Sequence, residues 1–454
     1  MIGLKKPLLS KLFPNDMHTT TVFTQLQEAF TKHINSLPAT HGWKKAQQEA
    51  YHAFQQLGLP HAKTEAYRNT SITSILAEKF NLSNSPVAST QTSPEIDMLL
   101  QQMFDSYSIV LVNGVLNRRR TPINLTSPFQ IYTFEEAYAK HPDWFMQHFV
   151  QSASDKLDVF TFINTALFRE GLFIYIPDNV VLDKPLCIYN ITDTTTEQTI
   201  NYPRILIATG KNSQLSVINS WHTLGDNEGF TNAVTDIIVG PYTQLDCYTL
   251  QTQLGNAYQI NNIHYYQAEH SIVNNYTFSW DGMLIRNNLH IAIQASHAEA
   301  NMYGLYCPNN TQHIDNHTLV DHQQPHTSSN ELYKGIIGGN ATGVFNGRIH
   351  VQPEAQKTNA FQANNNILLS DQATIHTKPQ LEIWADDVKC SHGATVGQLD
   401  ESQLFYLQSR GIPENLAKHM LLESFADEVI SKVNLLPLQE YLRKDFKEQI
   451  SQLA

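Results

Sequence analysis

Cysteine is scarce in this sequence. Four occur among 454 residues, at Cys187, Cys247, Cys307 and Cys390. They stand far apart, without the CxxC spacing of zinc ribbons, and they are too few to form a disulfide scaffold in so long a chain. The sequence therefore predicts free thiols in a reducing cytoplasm. For Cys187, Cys247 and Cys307 it predicts the role of small buried hydrophobic residues.

Long apolar runs and an excess of positive charge are also missing. No stretch approaches the roughly 18 apolar residues of a membrane-spanning helix. Residues 1–18 contain neither a sustained apolar segment nor a small-residue cleavage site. The formal net charge is −12, with 30 lysines and arginines against 42 aspartates and glutamates. We therefore expect no membrane anchor, no secretion signal and no nucleic acid as a partner.

Signatures of common enzyme classes are not found. The sequence has no GxGxxG, GxSxG or HExxH motif, and its nearest approach to a phosphate-binding loop, residues 208–213, lacks the upstream glycine. Asp386 and Asp387 are adjacent and would face opposite sides of a strand, which does not suit the carboxylate pair of a glycosidase. An enzyme that acts on sugars, the main enzymatic alternative for a β-helix, therefore lacks candidate residues.

Hydrophobic periodicity divides the chain into four parts. Residues 1–80 have the apolar spacing of helices, and residues 81–108 include a Ser-, Asn-, Thr- and Pro-rich segment that predicts a linker. Residues 109–396 predict a β core. Residues 397–454 predict a helical domain that either packs back on the β core or docks a partner.

The β core consists of short β-rich segments separated by glycine, asparagine and aspartate. The steps between Phe173, Cys187, Leu206 and Val217 are 14, 19 and 11 residues. No intervening segment has a convincing amphipathic pattern, so βαβ folds are not expected. A sandwich, a barrel and a stacked β-solenoid remain open. The asparagine-rich residues 361–369 favour the solenoid, because stacked coils align asparagines into hydrogen-bonded ladders.

Two groups of residues are candidate metal ligands. Cys390 and His392 are two positions apart in a predicted strand, so their side chains share one face, and a thiolate with an imidazole suits iron, copper, zinc or an iron–sulfur cluster. Two ligands are too few for a closed site, which needs about four. A second group is the histidine run His313, His317, His322 and His326. Its spacing permits either a metal site or ordinary packing in a polar strand, and its role is left open.

Several ordered motifs carry a family resemblance. They are LYKGI (332–336), GVFNGRI (343–349), KPQLEI (378–383), ADDVKCSHGATVGQLDE (385–401) and FYLQSRGI (405–412), with GLPHAKTEAYRNT (58–70) near the start. Together they resemble the SufB/SufD family of iron–sulfur cluster assembly proteins. The match is to the SufD branch, since the chain lacks the cysteine-bearing insertion of SufB. Residues 325–329, PHTSS, also lack a cysteine that some relatives carry after the histidine.

This resemblance implies a mainly β fold, with a right-handed parallel β-helix core between helical N-terminal and C-terminal domains. It implies a scaffold subunit without catalytic activity of its own, in a complex with SufB and two copies of the ATPase SufC. The chain would pair with SufB through the β-helix end and bind SufC through its C-terminal helices. ATP hydrolysis by SufC would then change the geometry of the interface.

The resemblance also implies a site. His392 would be this chain's contribution to a metal site at the interface with SufB, with Cys390 beside it, and the ligand would be transient iron or an iron–sulfur cluster. No tightly bound cofactor is expected in the isolated chain, which can pair with itself when alone. The alternative is a purely structural partner that positions SufB and SufC without ligating metal, with Cys390 as a packing thiol.

Overall fold

The structure is a computed structural model. It describes residues 17–38, 42–61, 63–83, 94–101, 105–121, 127–153 and 158–451. Residues 84–93 and 102–104 of the segment 81–108, predicted to be a linker or mixed segment, lie outside the described residues, and the described remainder includes a helix at Pro94–Gln101. No helix in the described ranges has the length and apolar character needed to cross a bilayer.

The described helices are labelled α1 to α10 in chain order. They span Met17–Ser36, Lys44–Leu57, Ile72–Lys79, Pro94–Gln101, Phe134–Lys140, Pro142–Ala153, Val159–Leu167, Glu401–Ser409, Glu414–Ile430 and Leu436–Ile450.

The described strands are labelled β1 to β20. They span Tyr107–Val112, Val115–Leu116, Gln130–Thr133, Gly171–Ile176, Leu186–Asp193, Thr199–Asn201, Arg204–Thr209, Gln214–Leu224, Gly229–Val239, Gln244–Gln253, Ala257–Gln267, Ile272–Ser279, Leu284–Ile293, Glu299–Tyr306, His313–His322, Ser328–Ile337, Thr342–Val351, Asn359–Leu368, Thr374–Ile383 and Lys389–Gly397.

The strands form a β-solenoid of two facing sheets. From β7 onward, successive strands alternate between the sheets, so each coil adds one strand to sheet A (β2-β1-β5-β8-β10-β12-β14-β16-β18-β20) and one to sheet B (β19-β17-β15-β13-β11-β9-β7-β4-β3). Neighbouring coils pair in parallel and in register, as β10 does with β12. This topology confirms the predicted solenoid and excludes the sandwich and the barrel. The space between the sheets is filled by buried Ile, Leu and Val side chains, such as Val217, Ile237 and Ile291.

An asparagine ladder runs along the stacked coils, although it lies outside residues 361–369, on which the expectation was based. Asn301 Nδ2 donates to Asn274 Oδ1 over 2.9 Å, and Asn330 Nδ2 donates to Asn301 Oδ1 over 3.1 Å. Each amide thus satisfies the equivalent amide on the next coil, which favours stacking in one register.

The N-terminal helices cover the outer face of sheet B. Phe23, Phe30 and Phe54 lie in the same apolar cluster as Phe230 of β9 and Ile260 of β11. Polar contacts between the N-terminal region and the outer face of sheet B reinforce this packing, such as the 2.9 Å contact between Thr70 Oγ1 and His313 Nε2.

Helices α5, α6 and α7 belong to this layer, although they lie within the range expected to be β core. The expectation that residues 109–396 contain no helix is therefore wrong for Phe134–Lys140, Pro142–Ala153 and Val159–Leu167. The reason is clearest in α7, where every residue from Val159 to Leu167 is buried. A helix buried on all sides has no polar face, so its apolar run cannot be distinguished from a strand by periodicity.

The C-terminal helices α9 and α10 cover the outer face of sheet A. Leu438, Leu442 and Phe446 are buried in one cluster with Tyr276 and Trp280 of the solenoid. Packing back on the β core is thus confirmed for these two helices. By contrast, α8 has no buried residue.

Three cysteines are buried side chains, as predicted. Cys187, Cys247 and Cys307 are free thiols with 0% exposure. Burial raises the pKa of Cys187 and of Cys247 to about 12, so both stay protonated at neutral pH.

Candidate functional site

The solenoid ends at two edge strands, β19 and β20. Within the described residues, each strand pairs with a single neighbour in its sheet, β17 and β18 respectively. The outer side of each strand therefore presents backbone N–H and C=O groups without a strand partner, the arrangement that pairs readily with another chain. We call this surface the open end.

Large apolar side chains are exposed at the open end. Trp384, directly after β19, is 67% exposed, Val396 of β20 is 48% exposed and Ile383 of β19 is 38% exposed. Almost every residue of β20 is exposed as well. Apolar side chains beside unpaired strand edges are typical of an interface that a partner covers.

Cys390 and His392 lie on β20 and share one face, as the sequence predicted. Cys390 is in register with Ala360 of β18, and His392 is in register with Gln362. Both β18 residues are buried between the sheets, at 0% and 4% exposure. Cys390 and His392 thus lie on the interior face of the last coil of the solenoid, where the interior opens to solvent.

The two candidate ligands differ in their surroundings. Cys390 is half-buried and packs on a small apolar cluster that includes Ile349, Val351 and Ala360. Burial raises the pKa of its thiol. His392 is exposed. The thiol therefore needs a nearby positive charge, such as a metal ion, to lose its proton, whereas the imidazole is directly accessible.

Cys390 and His392 give the strand β20 one thiol and one imidazole as candidate donors. Among the described residues, no group of three or more His, Cys, Asp and Glu side chains is arranged to hold a metal ion. Sulfur and nitrogen donors suit iron and iron–sulfur clusters, but a complete site has about four ligands. The geometry therefore supports a half-site that a second chain would complete.

The histidine run does not converge on one point. The side chains of His313 and His317 bond groups on the outer face of sheet B, where His313 Nε2 lies 2.9 Å from Thr70 Oγ1 and His317 Nε2 lies 3.0 Å from Asp315 Oδ1. His322 is buried at the corner of its coil, and burial lowers its pKa to about 4.

His326, the last member of the run, has φ of 59° and stacks on His297, with 5.1 Å between the ring centroids. The four histidines thus have separate environments, and three of them have hydrogen-bonding or ionic partners within the protein.

Two residues of the end region were not found from the sequence. Glu331 of β16 and Gln362 of β18 lie in the interior column directly below His392. Their sequence separations of about 30 residues equal one coil, so a known coil length would have been the signal that joins them.

Comparison with known proteins agrees with this architecture. Residues 191–425 match the SUF system FeS cluster assembly SufBD core domain, and residues 17–188 match the SufBD protein N-terminal region. An iron–sulfur cluster assembly SufBD family protein of Synechocystis is 28% identical over 450 residues, covering 96% of this chain and 98% of that protein. The iron–sulfur cluster assembly protein SufD of Escherichia coli is 28% identical over 394 residues, covering 86% of this chain and 89% of that protein.

The core match spans more than half of the chain and includes most of the solenoid with its terminal strand. The protein belongs to the SufB/SufD family of the SUF iron–sulfur cluster assembly system.

Proposed function

We propose that this chain is a SufD-type scaffold subunit that pairs with SufB through the open end. The observation that carries the proposal is the position of Cys390 and His392 on the interior face of a terminal strand that lacks an outer neighbour. The exposed Trp384 and Val396 give the same surface an apolar component for binding. The resemblance to a SufD protein over most of both chains favours SufB as the partner.

The cargo of this interface is iron or a nascent iron–sulfur cluster. His392 supplies an accessible imidazole, and Cys390 supplies a thiolate once metal lowers its pKa. SufB supplies the remaining ligands. A cluster shared between two chains is released when the interface changes geometry, because half of its ligands then move away.

The ATPase SufC is proposed to bind the C-terminal helices, with α8 as its main contact. Phe405 and Tyr406 of α8 are 71% and 57% exposed. Helix α8 begins at Glu401, shortly after β20 ends at Gly397. A movement of α8 caused by ATP hydrolysis in SufC would therefore reach the strand that carries His392. In this arrangement the chain has no catalytic activity of its own and acts in the cytoplasm.

A second candidate is a purely structural subunit that holds SufB and SufC without ligating metal. The packing of Cys390 against Ala360 and its neighbours favours this alternative, because a buried thiol also serves as a packing group. The two candidates agree on the partners and differ on whether His392 takes part in cluster assembly.

The deciding experiment is anaerobic reconstitution of the complex with SufB and SufC, using wild type, His392→Ala and the control His376→Ala. His376 is also exposed, on the edge strand β19, but it faces outward in register with Val344. We expect His392→Ala to lower iron and sulfide content and visible absorption severalfold while the complex stays intact by size exclusion, and His376→Ala to match wild type. An unchanged cluster yield in His392→Ala would favour the structural alternative.

A further inference from the structure

The interior of the solenoid carries buried polar side chains just below the open end. In sheet A, one interior column runs from Met302 of β14 through Glu331 of β16 and Gln362 of β18 to His392 of β20, each in register with the next. Met302 is fully buried, and Glu331 and Gln362 are each 4% exposed. A buried carboxyl group replaces an apolar side chain two coils before the candidate ligand.

Contacts on two sides fix the amide of Gln362. Its Nε2 donates to Glu331 Oε2 over 2.6 Å. On sheet B, the absence of a side chain at Gly347 leaves room for the amide, since a Cβ atom there would lie 2.3 Å from Nε2. When the carboxyl group of Glu331 is ionised, above about pH 7, it can only accept, so the amide nitrogen of Gln362 must lie on this side and the amide oxygen on the other.

The amide oxygen is left without a donor. Gln362 Oε1 is buried and has no hydrogen-bond partner in the part of the chain that the structure describes. Buried polar atoms are usually paired, so Gln362 Oε1 is an acceptor available to a donor on the neighbouring coil. The neighbouring position on the next coil, about 4.8 Å along the solenoid, is that of His392.

We propose that Gln362, held by Glu331, is a positioning residue that accepts a hydrogen bond from one imidazole nitrogen of His392 and so directs the other nitrogen towards the interface. The proposal rests on the proposed role of His392 and extends it to two residues of the interior. Fixing the tautomer and orientation of a ligating histidine through its second nitrogen is a general feature of metal sites.

The unpaired oxygen, rather than the polarity of the column, distinguishes Gln362. Asn275 of β12, in register with Met302, is also a buried amide in this column, but its Oδ1 accepts from Tyr265 OH over 2.8 Å. Burial raises the pKa of Glu331 to about 7, because ionisation of the carboxyl group in the interior costs free energy of hydration. The hydrogen bond from Gln362 offsets part of that cost, and within the described residues Oε1 of Glu331 and Oε1 of Gln362 are left without a hydrogen-bond partner.

The test is the tautomer of His392 in the full-length, metal-free chain paired with SufB. Long-range ¹H–¹⁵N correlation spectra of histidine-labelled protein at a pH where imidazole is neutral report which nitrogen carries the proton, and loss of a signal in His392→Asn assigns it. We expect one dominant tautomer in wild type. In Gln362→Met, which keeps the volume and removes the acceptor, we expect a mixture of both tautomers.

A rescue variant separates hydrogen bonding from packing. The double exchange Glu331→Gln/Gln362→Glu restores an amide–carboxylate pair in reverse order and leaves a carboxylate oxygen to accept from His392, so we expect one tautomer to dominate again. Glu331→Met/Gln362→Met removes both polar groups without leaving an unpaired carboxyl, and should behave as Gln362→Met does. The control Met302→Leu should leave the spectrum of His392 unchanged.

Affinity for a metal probe gives a second readout. Co²⁺ bound to the same complex should be held about 10- to 100-fold less tightly in Gln362→Met, with recovery in the double exchange. An unchanged tautomer in Gln362→Met overturns the proposed hydrogen bond whatever the cluster yield. An unchanged cluster yield in His392→Ala, with the tautomer effect present, instead overturns the proposed function and leaves the hydrogen bond standing.

Discussion

At the scale of single residues, Glu331 is the most informative side chain of the solenoid. Its carboxyl group is buried between the sheets, where Thr318 and Gln362 are its polar neighbours and Tyr333 is an ionisable group that interacts with it. None of these carries a positive charge, so the ionised carboxylate gains only hydrogen bonds in exchange for lost hydration.

This burial predicts a loss of stability with rising pH. The pKa of Glu331 is raised from 4.5 to about 7 in the folded protein, so the folded state binds the proton more tightly than the unfolded state does. The contribution of Glu331 to the free energy of unfolding is therefore fully present below about pH 4.5 and is lost as the pH rises through 7. A shift of this size corresponds to about 3 kcal/mol.

Urea unfolding of wild type and Glu331→Gln at pH 5 and pH 8.5 measures this contribution. We expect the loss between the two pH values to be smaller in Glu331→Gln by up to about 3 kcal/mol. Glu354→Gln, which changes an exposed carboxyl in a turn, should keep the wild-type pH dependence. Parallel pH profiles for wild type and Glu331→Gln would show that Glu331 is not buried as described.

Residue-level prediction from the sequence succeeded where it depended on local geometry. The alternation of side chains along a strand was enough to place Cys390 and His392 on one face. Alternation does not say which of the two faces is the interior, and it does not connect residues on different coils. The orientation into the interior and the register with Gln362 therefore needed the structure.

At the scale of elements, α8 differs from the helices that follow it. Helices α9 and α10 bury apolar residues such as Leu422 and Leu438 against sheet A. Helix α8 buries none, although Leu404, Phe405 and Leu407 are apolar. Asp400 caps its first turn by accepting from the backbone N–H groups of Ser402 and Gln403, so the helix is locally stabilised without tertiary burial.

We predict that Phe405→Glu/Tyr406→Glu weakens binding of SufC at least tenfold. Both side chains are exposed, so the substitutions place charge on the proposed contact surface without disturbing the packing of α9 and α10. Binding is measured by calorimetry or pull-down with purified SufC. Leu57→Glu, at a 61% exposed apolar side chain of the N-terminal helix α2, is the matched control. Equal SufC binding by wild type and the double variant would remove α8 from the docking surface.

Deleting the C-terminal region would be a less specific test. Removing α9 and α10 would expose the buried outer face of sheet A around Tyr248, Tyr276 and Trp280. The β core would then lose stability, and lost binding could not be assigned to a contact. Substitutions on the exposed side of α8 avoid this problem.

At the scale of the whole molecule, the two ends of the solenoid are unequal. At the start, sheets A and B close with the antiparallel pairs β1–β2 and β3–β4, which change the direction of pairing. At the finish, β19 and β20 expose their edges together with Trp384. The start ends in short antiparallel strands, whereas the finish ends in long parallel strands in register, so growth by a second chain is expected at the open end.

We therefore predict that the isolated chain forms a homodimer through the open end. Light scattering after size exclusion should give twice the chain mass of 51.5 kDa. Trp384→Glu should shift the population towards monomer, because a charge at the apolar edge opposes its burial. The control Val181→Glu changes a 64% exposed side chain away from the open end and should leave the dimer intact. A wild-type chain that runs only as monomer would contradict the prediction.

The sequence by itself determined the local elements and their general assembly. Helical spacing defined α1, α2 and α10, turn residues separated the strands, and the asparagine-rich segment favoured stacked coils over a sandwich. These features depend on contacts within a few residues, or on a pattern repeated along the chain, and both are visible without knowledge of the fold.

Only the tertiary structure decided the register of the coils and the contents of the interior. Stacking converts a separation of 31 residues, between Glu331 and Gln362, into a hydrogen bond of 2.6 Å. It also decided that α7 is a buried helix, because full burial removes the polar face by which a helix is identified. The physical reason is the same in both cases: these properties depend on which distant residues become neighbours, and local periodicity carries no information about that.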